Sequence, residues 1–271
     1  MIHGFIGGPI ATAAVAAVFS LAPIPAAGQA AAGAAQTYSP PRTSDGRPNL
    51  QGIWQALNTA AWDIQDHQAQ LGVPAGQGVV DGNDIPYQPW AAARKQENFK
   101  NRLSADPETK CYMSGVPRIT YMPFPFQIFQ TPNYVAIVYE YRHVMRIIYT
   151  DGSPHLAGAI DSFWMGDSRG RWEDNTLVVD TIHFNDQTWF DKAGNFHSEA
   201  LHVIERYTPV GPDHINYEVA IEDPKVFTRP WKLSMPLYRR KEPHVRVLEY
   251  VCYGFLEEEA QRAGERPAVT K

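Results

Sequence analysis

Hydrophobic and polar residues alternate with a period of two over most of the chain from residue 127 onward. That period is typical of strands whose two faces meet different surroundings. Residues that favour turns separate the alternating segments, as at Pro132-Asn133 and Asp151-Gly152. The predicted strands cover residues 126–131, 134–141, 144–150, 169–172, 176–184, 201–207, 215–221, 231–239 and 245–252.

Mostly tight turns between eight or nine strands favour an antiparallel up-and-down meander that closes on itself, because closure removes the unpaired strand edges. The predicted fold is therefore mainly β, a lipocalin/calycin-like barrel. A barrel of this size can enclose one small ligand. One more short strand is expected at residues 48–54.

Two helices are expected to cover the barrel from its N-terminal side. Residues 58–71 carry apolar side chains at helical spacing, with Asn58 or Thr59 as the N-cap. A second helix is expected to open at Pro89, which suits the first helical position, and to end before Asp106. Both helices are interpreted as covers for the barrel and not as catalytic elements.

The start of the chain has the composition of an export signal. The first 36 residues contain no Asp, Glu, Lys or Arg, and residues 10–23 form an apolar run. The usual cationic segment is missing apart from His3. A retained membrane anchor is the weaker alternative, because the run is shorter than the roughly 20 apolar residues that span a bilayer. We predict a periplasmic or secreted protein with a signal peptide at 1–30, a linker at 31–48 and a single barrel domain with its helices at 49–271.

The charge distribution limits the classes of partner. The formal net charge of −5 lies wholly outside the leader, and no run of Lys and Arg forms a stripe that would follow phosphates. Nucleic acid and stable membrane insertion are therefore not expected. The predicted partner is a small aromatic substrate, and a homo-oligomer is left open.

Cys111 and Cys252 are the two cysteines of the chain. In an oxidising compartment free thiols are rare, and a bridge that closes a long loop is stabilising. We predict a disulfide between them. The alternatives are two separate buried thiols or one reactive thiol, although neither cysteine has a His at nucleophile-like spacing.

Three charged side chains fall on otherwise apolar strand faces, where a buried charge is costly unless it is paired or used. Arg146 lies between Val144 and Ile148, whereas Glu205 and Asp180 alternate with Val, Leu and Ile in their own strands. Arg146 and Glu205 are candidates for a functional pair. In the alternative interpretation Glu205 forms a structural salt bridge across the barrel, and Asp180 caps a turn.

Four histidines, His155, His183, His197 and His202, lie within one short stretch of the chain. Their spacing, with Asp186 included, matches no compact metal motif, so no metal is expected. Proton transfer near neutral pH is the favoured functional interpretation, with His197 as the candidate because Ser198 and Glu199 offer adjacent polar partners. The alternative for each histidine is an ordinary hydrogen-bonded loop residue.

Several segments resemble a large family of secreted bacterial proteins. They are residues 85–90, 98–103, 110–111, 115–118, 121–128 and 164–172 with Asp180-Thr181, and the likeness extends over nearly the whole mature chain. The chain is also similar to phenylcoumaran γ-formaldehyde lyase, an enzyme of lignin degradation. The predicted barrel resembles lipocalin-like enzymes such as phenolic acid decarboxylases in outline alone.

The resemblance implies a lyase that needs no cofactor and cleaves a lignin-derived aromatic dimer, releasing formaldehyde from a phenylcoumaran to give a stilbene. That chemistry needs a base, for which His197 or Glu205 is the candidate, and a donor for the departing oxygen, for which Arg146 or Tyr139 would serve. Three further residues are expected to contact the substrate, namely Trp164, Trp189 and Asp186.

Two other functional classes stay open. A lipocalin-like binding protein for a small apolar or aromatic ligand would hold its ligand without transforming it. A structural envelope domain would have a packed barrel and no cavity. Converging Arg, Glu and His side chains would favour catalysis, whereas a wall of Trp, Tyr and Leu would favour carriage.

Overall fold

A computed structural model describes residues 38–158 and 163–250, together with Cys252, Ala260 and Gly264. All of them belong to one compact unit, Thr37–Lys271. The predicted signal peptide and the first part of the linker lie outside the described residues. Within the described part of the chain, no helix combines the length and the apolar character that crossing a membrane requires.

Nine strands form a closed barrel, in which each strand pairs with its neighbours along the chain and β1 pairs with β9. This confirms the prediction of a mainly β, mostly antiparallel, lipocalin-like barrel. The strands are β1 (Gly52–Ala56), β2 (Phe126–Gln130), β3 (Tyr134–Tyr139), β4 (Met145–Tyr149), β5 (Asp167–Glu173), β6 (Thr176–Ile182), β7 (His202–Gly211), β8 (His214–Glu222) and β9 (Trp231–Arg239).

One pair of strands departs from the meander. β4 and β5 run parallel, with Ile148 opposite Ser168 and Tyr149 opposite Arg169. A parallel pair requires a connection long enough to return to the starting end of the sheet. Here the connection occupies residues 150–166. The barrel is therefore up-and-down except at this step.

The predicted strand at 245–252 is wrong. Both edges of β9 are already taken, by β8 and by β1, so no free edge is left for another strand. Residues 245–249 form no strand, and Tyr250 makes one isolated bridge with Tyr141. The strand that closes the barrel against β9 is β1, which precedes the other eight strands in the chain.

Alternation of burial along the strands shows which side chains face the barrel interior. In β7, the residues Val203, Glu205 and Tyr207 are fully buried, and the residues between them are partly exposed. Tyr217 and Val219 of β8 face inward in the same way. The period-two pattern of the sequence is the physical cause of this arrangement, because successive side chains of a strand point to opposite faces.

Of the two predicted helices, the second forms. It comprises α1 (Pro89–Lys100), which opens at Pro89 as predicted, and α2 (Arg102–Ala105), with Asn101 between them. Short 3₁₀ helices follow at Pro107–Lys110 and Arg118–Tyr121.

The predicted helix at 58–71 is wrong. The bond that Asn58 accepts from the N–H of Ala60 is one that an N-cap would also make. Farther along, polar side chains take up backbone N–H groups that a helix would use: Asp63 accepts from Gln65. The N–H of Ile64 donates to Asp191, which is distant in sequence. Such side-chain acceptors compete with helical hydrogen bonds. The segment is an irregular stretch fixed to other parts of the unit.

The predicted disulfide between Cys111 and Cys252 is confirmed. It joins residues 141 positions apart and ties the chain beyond β9 to the 3₁₀ helix after α2. A crosslink over so long a loop restricts the unfolded chain and so favours the folded state.

We expect the Cys252→Ser variant to lose about 2 to 5 kcal/mol of unfolding free energy, because the unfolded chain regains the entropy of the open loop. Urea unfolding followed by tryptophan fluorescence measures the loss. Dithiothreitol should destabilise the unchanged protein similarly and leave the variant as it is. Equal stability of the two proteins under oxidising conditions would contradict this role of the disulfide.

Candidate functional site

The barrel interior contains an ion pair that the sequence analysis proposed. Arg146 projects inward from β4 and Glu205 from β7, and the pair is bidentate: Nη1 lies 3.0 Å from Oε1, and Nη2 lies 2.5 Å from Oε2. Arg146 is 3% exposed and Glu205 is fully buried. The alternation of β4 and β7 thus brings the two charges together inside the barrel.

Hydroxyl groups complete this barrel cluster, which we define as Arg146, Glu205 and the polar side chains in contact with them. The hydroxyls of Tyr207 and Tyr217 donate to Glu205 Oε1 over 2.9 and 2.7 Å. Arg146 also donates to Ser168 over 3.1 Å and to Thr181 over 2.9 Å. Glu205 therefore accepts four hydrogen bonds, and the buried charges are well compensated.

Burial and charge act against each other in the barrel cluster. Burial disfavours the charged form of Arg146, but the carboxylate of Glu205 outweighs it and raises the pKa of Arg146 above its ordinary value. Burial and the same carboxylate raise the pKa values of Tyr207 and Tyr217. Burial likewise raises the pKa of Tyr139, which lies beside Arg146 and near the Thr120 hydroxyl at 3.3 Å. All three tyrosines are thus neutral, and Tyr207 and Tyr217 are the two that donate to Glu205.

A second group of predicted residues lines a pocket of about 780 Å³ between α1 and the loop of residues 185–199, and no residue of the barrel cluster is among the lining residues. We call it the helix-side pocket. Its walls combine aromatic and charged side chains, which include Trp90, Trp189, Phe196, Arg94, Asp186 and Lys225. Such a mixture suits a flat ligand that carries oxygen substituents.

His197 also lines the helix-side pocket, although it is only 2% exposed. Its Nδ1 lies 2.9 Å from the Ser198 carbonyl oxygen, which can only accept, so Nδ1 carries the proton. Nε2 accepts from the Thr188 hydroxyl over 2.6 Å. Burial lowers the pKa of His197 below its ordinary value, against the opposing effects of Ser198, Asp223 and Asp186. The imidazole is therefore neutral at neutral pH.

The segment that carries Thr188 packs closely on the chain around Gly115. Gly115 has a φ of +72°, and a Cβ there would lie 2.5 Å from the Thr188 hydroxyl oxygen. Only glycine combines this backbone conformation with so close an approach. The contact holds the hydroxyl against Nε2 of His197.

Asp191 anchors the same loop, and the sequence analysis missed it. Its carboxylate accepts from the N–H of Ile64 over 3.0 Å, and from the N–H and side-chain amide of Asn195 over 3.1 and 2.5 Å. Burial, and then the charge of Asp63, raise the pKa of Asp191 to about 7. The Asp-x-x-Gly-Asn spacing at 191–195 is typical of a turn closed by a carboxylate, and it was the signal that could have revealed this anchor.

A third polar group lies partly exposed on the barrel wall. Asp180 Oδ1 accepts from Nε2 of His155 over 3.0 Å and from Nε2 of His202 over 3.1 Å. Nδ1 of His155 lies 3.0 Å from Asp167. Over residues 38–158 and 163–250, no three His, Cys, Asp or Glu side chains are arranged to hold a metal ion.

The candidate residues of the sequence analysis thus fall into separate places. Arg146, Glu205 and Tyr139 lie together in the barrel. His197, Asp186 and Trp189 lie together at the helix-side pocket. Trp164 packs against Tyr112, with ring centroids 4.9 Å apart.

No model of a known protein family matches the chain, and a comparison with curated proteins gives no match. The resemblance to a family of secreted bacterial proteins therefore stays a prediction from the sequence segments.

We expect Glu205→Gln to lower the unfolding free energy by about 3 to 5 kcal/mol, because it leaves the buried Arg146 charge without its counterion. Urea unfolding measures the effect. Glu173→Gln is the matched control. It breaks the ion pair between Glu173 and Arg206, in which both side chains are 40% exposed, and it should change the unfolding free energy little. Equal effects of the two substitutions would contradict a stabilising role of the barrel cluster.

The raised pKa of Asp191 makes stability depend on pH. Because the folded state holds this proton more tightly, its contribution is complete below the ordinary pKa of 3.8 and is lost as the pH rises through about 7. Asp63→Asn removes the neighbouring charge, so the fall in unfolding free energy over that interval should become shallower. Denaturant unfolding over a pH series tests this. Asp84→Asn, at an exposed position, should keep the original slope, and a slope unchanged in Asp63→Asn would disprove the coupling.

Proposed function

We propose that the protein is a cofactor-independent lyase that binds a lignin-derived aromatic dimer in the helix-side pocket and releases formaldehyde from a phenylcoumaran to give a stilbene. We place this activity in the periplasm or outside the cell, as the composition of the leader suggests. The observation that carries the proposal is the convergence of aromatic walls, charged groups and the neutral imidazole of His197 on one pocket.

The dimensions of the helix-side pocket support a ligand with two rings. Its volume of about 780 Å³ lies within the roughly 300–1,000 Å³ typical of small-molecule sites. Trp90 and Trp189 offer flat apolar surfaces for the rings, whereas Arg94 and Lys225 can stabilise a developing phenoxide.

The reaction itself needs one base and one site for negative charge. The primary alcohol loses its proton to the base, and its oxygen forms the carbonyl bond of formaldehyde as the C–C bond breaks. The electrons of that bond form the new C=C bond and expel the phenoxide from the neighbouring carbon. The phenoxide then takes up the proton, so the reaction is balanced without any oxidant or reductant.

His197 is the proposed base. Its Nδ1 proton is held by the Ser198 carbonyl, so Nε2 presents the lone pair that can accept a proton. The substrate hydroxyl takes the place of the Thr188 hydroxyl at Nε2, and the carboxylate of Asp186 stabilises the imidazolium that forms. In this proposal the barrel cluster supports the fold and does not contact the substrate.

One observation favours a second candidate, a binding protein for the same class of ligand. Both ring nitrogens of His197 already have hydrogen-bond partners within the protein. A ligand could therefore occupy the helix-side pocket without displacing Thr188 from His197. Such a ligand would bind and dissociate without chemical change.

We expect the purified mature protein to release formaldehyde from a phenylcoumaran diol without added cofactor, and the stilbene to appear by its absorbance. His197→Gln should lower kcat by about 100-fold or more, since a general base contributes on that scale. His214→Gln, a surface change on β8, is the matched control and should leave kcat as it is.

Trp90→Ala should raise KM more than it lowers kcat, because it removes an aromatic wall and not the base. Saturable binding of the phenylcoumaran diol without formation of a product would favour the second candidate, the binding protein. Full activity of His197→Gln would disprove the assignment of the base.

A further inference from the structure

A smaller pocket of about 170 Å³ lies apart from the helix-side pocket and shares no lining residue with it. We call it the Glu108 pocket. Four aromatic side chains and three charged groups are among its lining residues: Trp62, Phe124, Tyr141, Tyr250, Glu108, Arg118 and Lys192. It belongs to neither the barrel cluster nor the proposed lyase site.

Glu108 has one oxygen in use and one without a partner. Its Oε2 accepts from the Tyr141 hydroxyl and from Arg142 Nη2, the latter over 2.7 Å. Its Oε1 is buried and has no hydrogen-bond partner among the described residues. The side chain as a whole is 8% exposed. A buried acceptor in this state calls for a donor.

Arg118 is in the complementary state. Its two terminal nitrogens donate to the two oxygens of Asp106, over 2.9 and 2.8 Å. Its Nε–H is buried and has no acceptor within the described part of the chain. Arg118 is 3% exposed. Burial opposes its charged form, but Asp106 and, to a smaller extent, Glu108 raise its pKa above the ordinary value, so Arg118 and Glu108 interact electrostatically. Both side chains line the Glu108 pocket, and each has one buried polar atom that is unused: an acceptor on Glu108 and a donor on Arg118.

A hydroxyl group is the simple function that satisfies both, because it donates one hydrogen bond and accepts others. The lining residues carry both signs of charge, so a carboxylate would lie near Glu108 and an ammonium near Arg118 and Lys192, whereas a neutral hydroxyl meets neither repulsion. The aromatic walls favour a ring as the carrier of the hydroxyl. An apolar cavity of about 150 Å³ is known to hold benzene, so the volume suits one ring.

We propose that the Glu108 pocket binds a small monocyclic phenol. The hydroxyl donates to Glu108 Oε1 and accepts from Arg118 Nε–H, and the ring packs among Phe124, Tyr141 and Trp62. This site is independent of the proposed lyase activity.

The disulfide maintains the wall of the Glu108 pocket. Cys111 follows Glu108 by three positions, and Cys252 follows Tyr250 by two. Tyr250 stacks on Tyr141 with ring centroids 5.0 Å apart, and it packs at a tilt against Phe124 with centroids 4.7 Å apart. Opening the disulfide releases the segment that holds Tyr250 in this wall, so phenol binding should weaken on reduction.

Titration calorimetry with 4-methylphenol and 4-methylanisole tests the proposal on the unchanged protein. The two probes share the ring, but the methyl ether cannot donate to Glu108. We expect saturable binding of the phenol and at least about tenfold weaker binding of the ether, since a buried acceptor is left unpaired. Equal affinities, or no saturable binding of the phenol, would overturn the proposal.

Two variants locate the binding. Ala61→Leu adds volume to the wall of the Glu108 pocket and should abolish phenol binding, with circular dichroism to verify the fold. Trp90→Ala changes the helix-side pocket and should leave the affinity as it is. If Trp90→Ala loses phenol binding and Ala61→Leu retains it, the phenol binds in the helix-side pocket, and the proposal is overturned. A failure to detect formaldehyde release would count against the proposed lyase activity alone, because phenol binding by the two variants is measured independently of it.

Discussion

Closure of the barrel by the pairing of β1 with β9 is the constraint on which the rest of the structure depends. It leaves no strand edge open, so an inward side chain can satisfy its charge only within the barrel. Arg146 and Glu205 meet under that condition, and their pairing with the hydroxyls around them follows from it. The cost of burying two charges is offset because almost every polar atom of the pair has a partner.

The helix-side pocket depends on the same closure less directly. Its residues come from α1 and α2, from the loop between β6 and β7, and, through Lys225, from the loop between β8 and β9; none of these belongs to the sheet. Asp191 connects this loop to the segment around Ile64, and Asp223 accepts from the N–H and hydroxyl of Ser198. Buried carboxylates thus fix the position of His197, where hydrogen bonds of a sheet are not available.

The sequence predicts what local periodicity controls, and it fails where distant contacts decide. The strand at Trp231–Arg239 has the predicted bounds because its alternation is regular and both of its edges are paired. Residues 58–71 have the spacing of a helix, but Asp191 and Asp63 compete for their backbone. The Arg146 and Glu205 pair could be anticipated from charges on apolar faces. The separation of His197 from that pair could not, because it depends on where α1 packs.

The protonation states of the two polar regions argue for different roles. In the barrel cluster burial disfavours the charged form of Arg146, but the carboxylate of Glu205 outweighs it, so the guanidinium stays charged. Burial and the same carboxylate raise the pKa of Tyr207, so its hydroxyl stays neutral. Groups so strongly held in one state are poor agents of proton transfer near neutral pH. His197 differs, since burial lowers its pKa and leaves a neutral imidazole beside a pocket open to ligands. Electrostatics therefore favours a structural role for the barrel interior, and it makes His197 the better candidate for the proposed acid–base chemistry.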